Sequence, residues 1–332
     1  MVQQLQTRSG PSLFQVKQDW TYNSSKRQDE GMSKTSGYNS KSTIAGYLFI
    51  SPWLIGFLCF TIIPILASLY ISFTKYDLIS SPVWVGIKNF QRLFFQDPRY
   101  RKSLGITFVY VITAVPLRLV FALFIAMILC QKRRLLGLYR LVYYLPSIIG
   151  GSVAIALVWR MFFGSGGPIS LTAASLGIKK TISLIGNPRT ALATIIALYI
   201  WQFGSSMLIF LAGLKNIPES FYEAAVVDGA GSLVKFFRIT LPLLSPVILF
   251  NLIMQTIHGF LMFTQAWIIT RGGPMDSTLV YVVYMFLRAF QFYDMGAASA
   301  MAWVLLLIVG FFTMLIFATS RRWVYYESKV GI

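Results

Sequence analysis

The residues best equipped to recognise a polar molecule in this sequence lie inside apolar runs. Gln255, His258, Gly259 and Met262 recur at spacings of three and four, which places them on one face of a helix. Asn251, Thr256, Thr264 and Gln265 belong to the same run, and Phe263 and Trp267 follow. Amides and an imidazole bond hydroxyl groups, and a flat ring covers C–H faces, so the set could recognise a molecule that presents both. A second set, Tyr199, Gln202 and Ser206, shares a face in another run, with Trp201 and Ser205 beside it. Arg118 is the lone charge between residues 106 and 130, two positions after Pro116. Polar groups within such apolar runs are costly, so each is a functional candidate. The competing reading is structural: the same groups would tie helices together, Arg118 through backbone carbonyls.

The sequence offers little else to a chemist. It has one histidine, and its two cysteines, Cys59 and Cys130, sit inside apolar runs as small core residues. No acidic residue lies in a long apolar run, which leaves poor material for acid–base catalysis or a metal site. No Gly-x-x-x-x-Gly-Lys-Ser/Thr occurs, and Gly164-Ser165-Gly166-Gly167-Pro168 reads as an external loop rather than a phosphate cradle.

Of the 332 residues, 56% are hydrophobic and 12% charged, too few charges to cover a soluble surface, so lipid is the main solvent. The apolar runs predict an all-α integral membrane fold with six spans, at about 44–74, 106–130, 141–160, 190–214, 239–270 and 297–320. Pro52 and Pro64 predict a tilted or kinked first span. Residues 1–43 read as a polar cytoplasmic tail with no signal-peptide core before Ile44, and 321–332 as a cytoplasmic C-terminus. With the N-terminus inside, the inner segments carry 16 Lys/Arg and the outer ones 12. The short cluster Lys132, Arg133, Arg134 supports that orientation, while Arg99, Arg101 and Lys102 oppose it. The net charge of +18 therefore suits headgroups rather than nucleic acid.

One inner loop, 215–242, differs from the rest. Pro218 suits a first helical turn and Glu219 its positive end. Phe221, Ala224, Ala225 and Asp228 fall on one side, and Gly229 and Gly231 let the chain reverse before Phe236, Phe237 and Ile239. Such a small-residue face suits either a docked protein or a lipid surface.

The loop resembles the EAA loop of the permease subunits of ATP-binding-cassette (ABC) importers, in Glu223-Ala224-Ala225, Asp228-Gly229-Ala230 and Ile239-Thr240-Leu241-Pro242. The resemblance extends from about Gly46 to Glu327. It includes Gly46 to Pro52, Gly86-Ile87-Lys88-Asn89-Phe90, Tyr144-Leu145-Pro146 opening span three, Arg271-Gly272-Gly273-Pro274, and Met295-Gly296-Ala297-Ala298-Ser299-Ala300. Together these are similar to permeases of the maltose and multiple-sugar branch. The polar tail matches no pattern of that branch, and the loop after span one lacks the large extra domain some members carry.

The resemblance implies a bacterial cytoplasmic-membrane subunit, not itself an enzyme, that binds no cofactor. Its partners would be a second homologous permease, two ATPase subunits that bind ATP and Mg, and an extracytoplasmic sugar-binding protein. Glu223, Ala224, Ala225, Asp228 and Gly229 would couple to the ATPase, and alternating access would move an oligosaccharide. The related span before Gly-Gly-Pro lines the sugar cavity in that branch. The outer segments carry eight more basic than acidic residues, with Asp77, Asp97, Asp276 and Asp294 as the acids. A basic mouth would concentrate an acidic oligosaccharide; it would equally meet headgroups or an acidic binding protein. Glycerol-phosphate or another small polyol phosphate is the rival cargo. An ATPase-independent channel or secondary transporter is the rival class, and it would call for carboxylates within the spans.

Overall fold

The computed structural model describes residues 40–130, 136–177 and 183–325. Most of the expected polar tail, the Lys132, Arg133, Arg134 cluster and the end of the expected C-terminal segment lie outside the described residues. The chain divides into two units, Met1–Leu66 and Ala67–Ile332.

In the first unit, helix α1 (Ser40–Phe57) starts four residues before the expected first span. It passes through a π turn at Leu58–Ile62 into α2 (Ile63–Ser72). An inserted π turn re-phases the side chains, a recognised cause of bending in a proline-containing helix. Exposed Phe49, Trp53 and Phe60 give this stretch an apolar surface suited to lipid.

The second unit begins within α2, and a two-stranded antiparallel ribbon follows, β1 (Thr74–Lys75) and β2 (Val83–Trp84), in the register Thr74↔Trp84. Asn89 pins it: its Nδ2 donates to the carbonyls of Ser72 and Thr74, both at 2.8 Å. Gly86, with φ of +61°, makes the left-handed turn that brings Asn89 back. Gly296 lies against the same carbonyl, where a Cβ would collide with Thr74 O. Two separated motifs, Gly86–Phe90 and Met295–Ala300, thus meet at one anchor.

The longest helix, α3 (Pro98–Cys130), begins at a strong start signal. Pro98 suits the first helical position, and Asp97 Oδ1 accepts from Tyr100 N at 3.0 Å. The helix runs through Pro116 and lies at the centre of the unit. Helices α7 (Ala191–Trp201), α8 (Gly204–Lys215), α10 (Leu241–Phe260) and α12 (Tyr281–Phe286) contact it. Ala114, Ala122 and Ala126 are fully buried, small enough to let neighbouring helices approach closely. Between α8 and α10 lies α9 (Glu219–Val227). Thr264–Ile269 forms α11, and Met295–Ser320 forms α13, which starts with Asp294 Oδ1 accepting from Ala297 N at 3.2 Å.

Among the described residues, five helical stretches are long and apolar enough to cross a bilayer, and six if α7 and α8, bent by 42°, form one broken span. The third span expected over 141–160 differs most. Helix α4 (Leu136–Ile149) stops, α5 (Val153–Phe163) starts after Gly150-Gly151-Ser152, and α6 (Pro168–Ser175) follows. The physical cause is local: two glycines favour a break, and Ser152 Oγ accepts from Ile155 N at 3.3 Å to start the next helix. Tyr144-Leu145-Pro146 therefore lies inside α4 rather than opening a span.

Candidate functional site

The structure gathers Arg118, Ser205, Tyr199 and Gln255 into one polar region between α3, α7, α8 and α10, and Ser206 is buried next to Ser205 on α8. Arg118 is buried, at 6% exposure. Its guanidinium carbon lies 4.4 Å from the centre of the Tyr199 ring, and its Nη2 donates to Ser205 Oγ at 3.2 Å. Tyr199 Oη donates to Gln255 Oε1 at 2.9 Å. The Tyr110 ring meets that of Tyr199 edge to face at 5.7 Å. Arg118 Nε, Tyr110 Oη, Ser206 Oγ and both amide atoms of Asn251 are buried with no hydrogen-bond partner.

Gln202 serves the helix break. Its Nε2 donates to Gly150 O at 2.8 Å, its carbonyl accepts from Ser147 Oγ at 2.9 Å, and Ser147 Oγ accepts from Ser205 N at 3.0 Å. These bonds stitch the bend between α7 and α8 to the end of α4. Gly204 allows the contact, because a Cβ there would meet Tyr143 O at 2.7 Å.

The expected face of Gln255, His258, Gly259 and Met262 is divided. Gln255 and Gly259 are buried, with Gly259 against Val111 and Val115, while His258 is exposed at the edge of the face. Helix α10 ends at Phe260, so Met262 is buried in the connection and half-buried Gln265 rides on α11. Phe263 and Trp267 stack at 6.1 Å, Phe286 packs on both, and Arg271 lies 5.9 Å from the Trp267 ring. Nearby, a cleft of about 750 Å³ is lined by Arg160, Gly164, Thr270 and Pro274.

The 215–242 loop forms a helix, a turn and a second helix. Gly229, with φ of +71°, closes α9: Ala230 N donates to Ala225 O at 2.8 Å and Gly229 N to Val226 O at 3.0 Å. That double bond is the Schellman ending, which requires a residue in the left-handed region. Ala225 is buried and Tyr222 Oη lies 3.0 Å from Thr240 Oγ1, whereas Phe221, Glu223, Ala224 and Asp228 are exposed. The face expected to hold Phe221, Ala224, Ala225 and Asp228 together is thus split. The inner side of α9 leans on Thr240, and the outer side carries Glu223, Ala224 and Val227.

At the opposite end of the helices lies an ion network with no signature in the sequence. Asp97 Oδ2 accepts from Tyr284 Oη at 2.6 Å and pairs with Arg288, whose Nη1 also lies 3.6 Å from Asp294. Arg92 pairs with Asp294, and Arg99 grips Asp276 with two bonds of 2.9 and 2.7 Å. Burial pushes the Asp97 carboxyl up, but Tyr284, the Tyr100 amide and Arg288 outweigh it and hold it below its ordinary value. Burial, then the bond to Asp97, pushes the Tyr284 phenol up to about 12. Arg99 and Lys102, which oppose the expected orientation as free charges, are bound to Asp276 and the Met275 carbonyl. Three of the four aspartates expected outside, Asp97, Asp276 and Asp294, thereby have ion pairs. The surplus of positive charge falls on residues such as Arg101, Arg160, Arg189 and Arg271, which have no ion pair among the described residues. There, too, no group of three or more His, Cys, Asp or Glu could hold a metal.

Residues 106–324 match the family described as binding-protein-dependent transport system inner membrane component. The chain is 57% identical to the probable ABC transporter permease protein YesP of Bacillus subtilis (strain 168), over 87% of this chain and 94% of that protein. It is 32% identical to the lactose transport system permease protein LacF of Rhizobium radiobacter, over 84% of this chain and 95% of that protein. A solved bacterial ABC transporter involved in import of the acidic polysaccharide alginate shares the fold. Its TM-score is 0.72 at 21% identity, over 85% of this chain and 96% of that one.

Proposed function

The chain belongs to the binding-protein-dependent transport system inner membrane components, and from that premise we propose that it is the permease subunit of an ATP-driven importer of oligosaccharides. The observation that carries the proposal is the placement of α9. It follows α8 closely and leads, through a turn and the short helical stretch 232–240, into α10, and these helices, with α7, hold Ser205, Tyr199 and Gln255. A force on the exposed side of α9 therefore reaches the buried polar region through two helices. Alternating access follows: two partner ATPases close on ATP and Mg, α9 moves with them, and α8 and α10 reset the path. Glu223, Ala224, Ala225, Asp228 and Gly229 form the coupling segment, with Gly229 holding its shape and Glu223 facing the ATPase.

A second homologous permease completes the pathway, and an extracytoplasmic binding protein delivers the sugar. Support for such a partner comes from the alginate transporter, which was solved with a pentasaccharide-bound periplasmic protein. The loop 215–242 faces the cytoplasm in this reading. The cargo path uses Tyr199, Gln202, Ser206, Gln255, His258, Gly259, Met262, Gln265 and Arg118, some as contacts and some, like Gln202, as supports. The exposed outer cations favour an acidic oligosaccharide over a neutral one or a polyol phosphate. Uptake of uronate-containing and neutral oligosaccharides by cells with and without this chain tests the reading. Preferential loss of acidic uptake supports it, and equal or exclusive loss of neutral uptake refutes the acidic assignment.

A further inference from the structure

Among the described residues, Arg118 has no carboxylate to answer it. The helices that contact α3 within the buried polar region, α7, α8 and α10, contain no aspartate or glutamate, and neither does α3. The described partners of the guanidinium are a hydroxyl, Ser205 Oγ, and the face of Tyr199. A buried cation with neutral neighbours is costly, and structures normally meet it with an anion or neutralise the group. An arginine is not readily neutralised.

Hydrogen-bonding capacity is left over on the helices packed around Arg118. Arg118 Nε, Ser206 Oγ and Tyr110 Oη are all buried and unpartnered. Side chains on a helix lean toward its N-terminus, so the head of Arg118 reaches back along α3 toward the level of Tyr110. The edge-to-face contact of Tyr110 with Tyr199, and the stacking of Arg118 on Tyr199, place both groups around one ring. Ser206 follows Ser205, which Arg118 already contacts. A guanidinium N–H and two hydroxyls are the groups with which proteins hold a small anion, or one carboxylate of a larger molecule.

We infer that Arg118, Tyr110 and Ser206 form an internal site for a monovalent anionic group within the permease. Two sources share that chemistry: a resident inorganic anion such as chloride, and the carboxylate of an acidic sugar in transit. The first source is independent of the cargo assignment, whereas the second rests on the importer reading.

Two arms of one experiment separate them, using the complete complex in lipid nanodiscs. In the first, thermal unfolding is followed as chloride replaces gluconate at constant ionic strength. A resident anion gives a saturable rise in midpoint for wild type that Arg118→Gln abolishes. In the second, import of a uronate oligosaccharide is compared with its carboxyl-reduced neutral counterpart. A carboxylate in transit gives an acidic-over-neutral ratio that falls at least about tenfold in Arg118→Gln, equivalent to 1.4 kcal/mol. Where Arg118→Gln does not assemble, Tyr110→Phe and Ser206→Ala reduce whichever signal wild type shows. No saturable chloride effect in wild type, together with an unchanged acidic-to-neutral ratio in the variants, overturns the site. General loss of both sugars with an intact chloride response leaves the anion site standing and refutes only the carboxylate source.

Discussion

Replacing Asp97 by asparagine removes the charge at the hub of the ion network while keeping its shape. Asp97 is 6% exposed and Arg288 20% exposed. Breaking a fully buried pair costs about 3–5 kcal/mol. Here Arg288 is partly wetted and retains Asp294 at 3.6 Å, so the loss falls to roughly 2 kcal/mol. For a domain of this size that lowers Tm by roughly 4–8 °C. Thermal unfolding of the purified protein, followed by size-exclusion chromatography at neutral pH, measures it. The pH dependence adds a second check. The Asp97 carboxyl is held below its unfolded value, so its contribution is present above that value and lost as pH falls through the folded one. Tyr284 is raised to about 12 from an ordinary value of 10. Its contribution is therefore full below pH 10 and lost as pH rises toward 12. Asp97→Asn flattens the acid limb, and Tyr284→Phe removes the alkaline step at a cost of about 1 kcal/mol. An Asp97→Asn midpoint within a degree of wild type, with an unchanged acid limb, refutes the hub.

Three further outcomes follow from the geometry. Gly296→Ala drives a Cβ into the Thr74 carbonyl and Asn89 Nδ2, and is expected to cost about 1–3 kcal/mol, read as a lower Tm. At Gly229 there is open space but a φ of +71°, so Gly229→Ala costs only about 1 kcal/mol of stability, while sugar-stimulated ATPase activity falls more than stability does. Tyr199→Phe loses the bond to Gln255 but keeps the ring under Arg118, so transport drops with expression and Tm little changed, as uptake and a melt would show.

Short, contiguous signals made part of this protein legible from its sequence. Glu223-Ala224-Ala225, Gly229 and Ile239 to Pro242 pointed to the family, and Gly229 does close α9 with the left-handed turn that its spacing called for. Apolar length alone located most helices. The same measure hid the break at Gly150-Gly151-Ser152, because an averaging window runs across two glycines although they and a capping serine mark the end of a helix. Helical spacing grouped His258 with Gln255 but cannot tell the edge of a face from its centre, and His258 is exposed. The ion network was invisible for a different reason. Asp97 meets Arg288 and Arg99 meets Asp276 across 191 and 177 residues of sequence, and no local pattern encodes such pairs. Asp97 offered one clue, an acidic residue before Pro98 at a helix start, which explains its bond to Tyr100 but not its role as hub.

The central claim is that α9 carries the work of a partner ATPase into the membrane helices. Purification of the complex from native membranes, with wild type and Glu223→Lys side by side, tests it through ATPase recovery and sugar-stimulated hydrolysis. Reversing the charge on the exposed side of α9 leaves the fold intact and is predicted to lower coupled hydrolysis at least about tenfold, or to lose the ATPase on purification. Unchanged recovery and unchanged stimulation would remove Glu223 from the contact, and a wild-type complex without an ATPase would contradict the account.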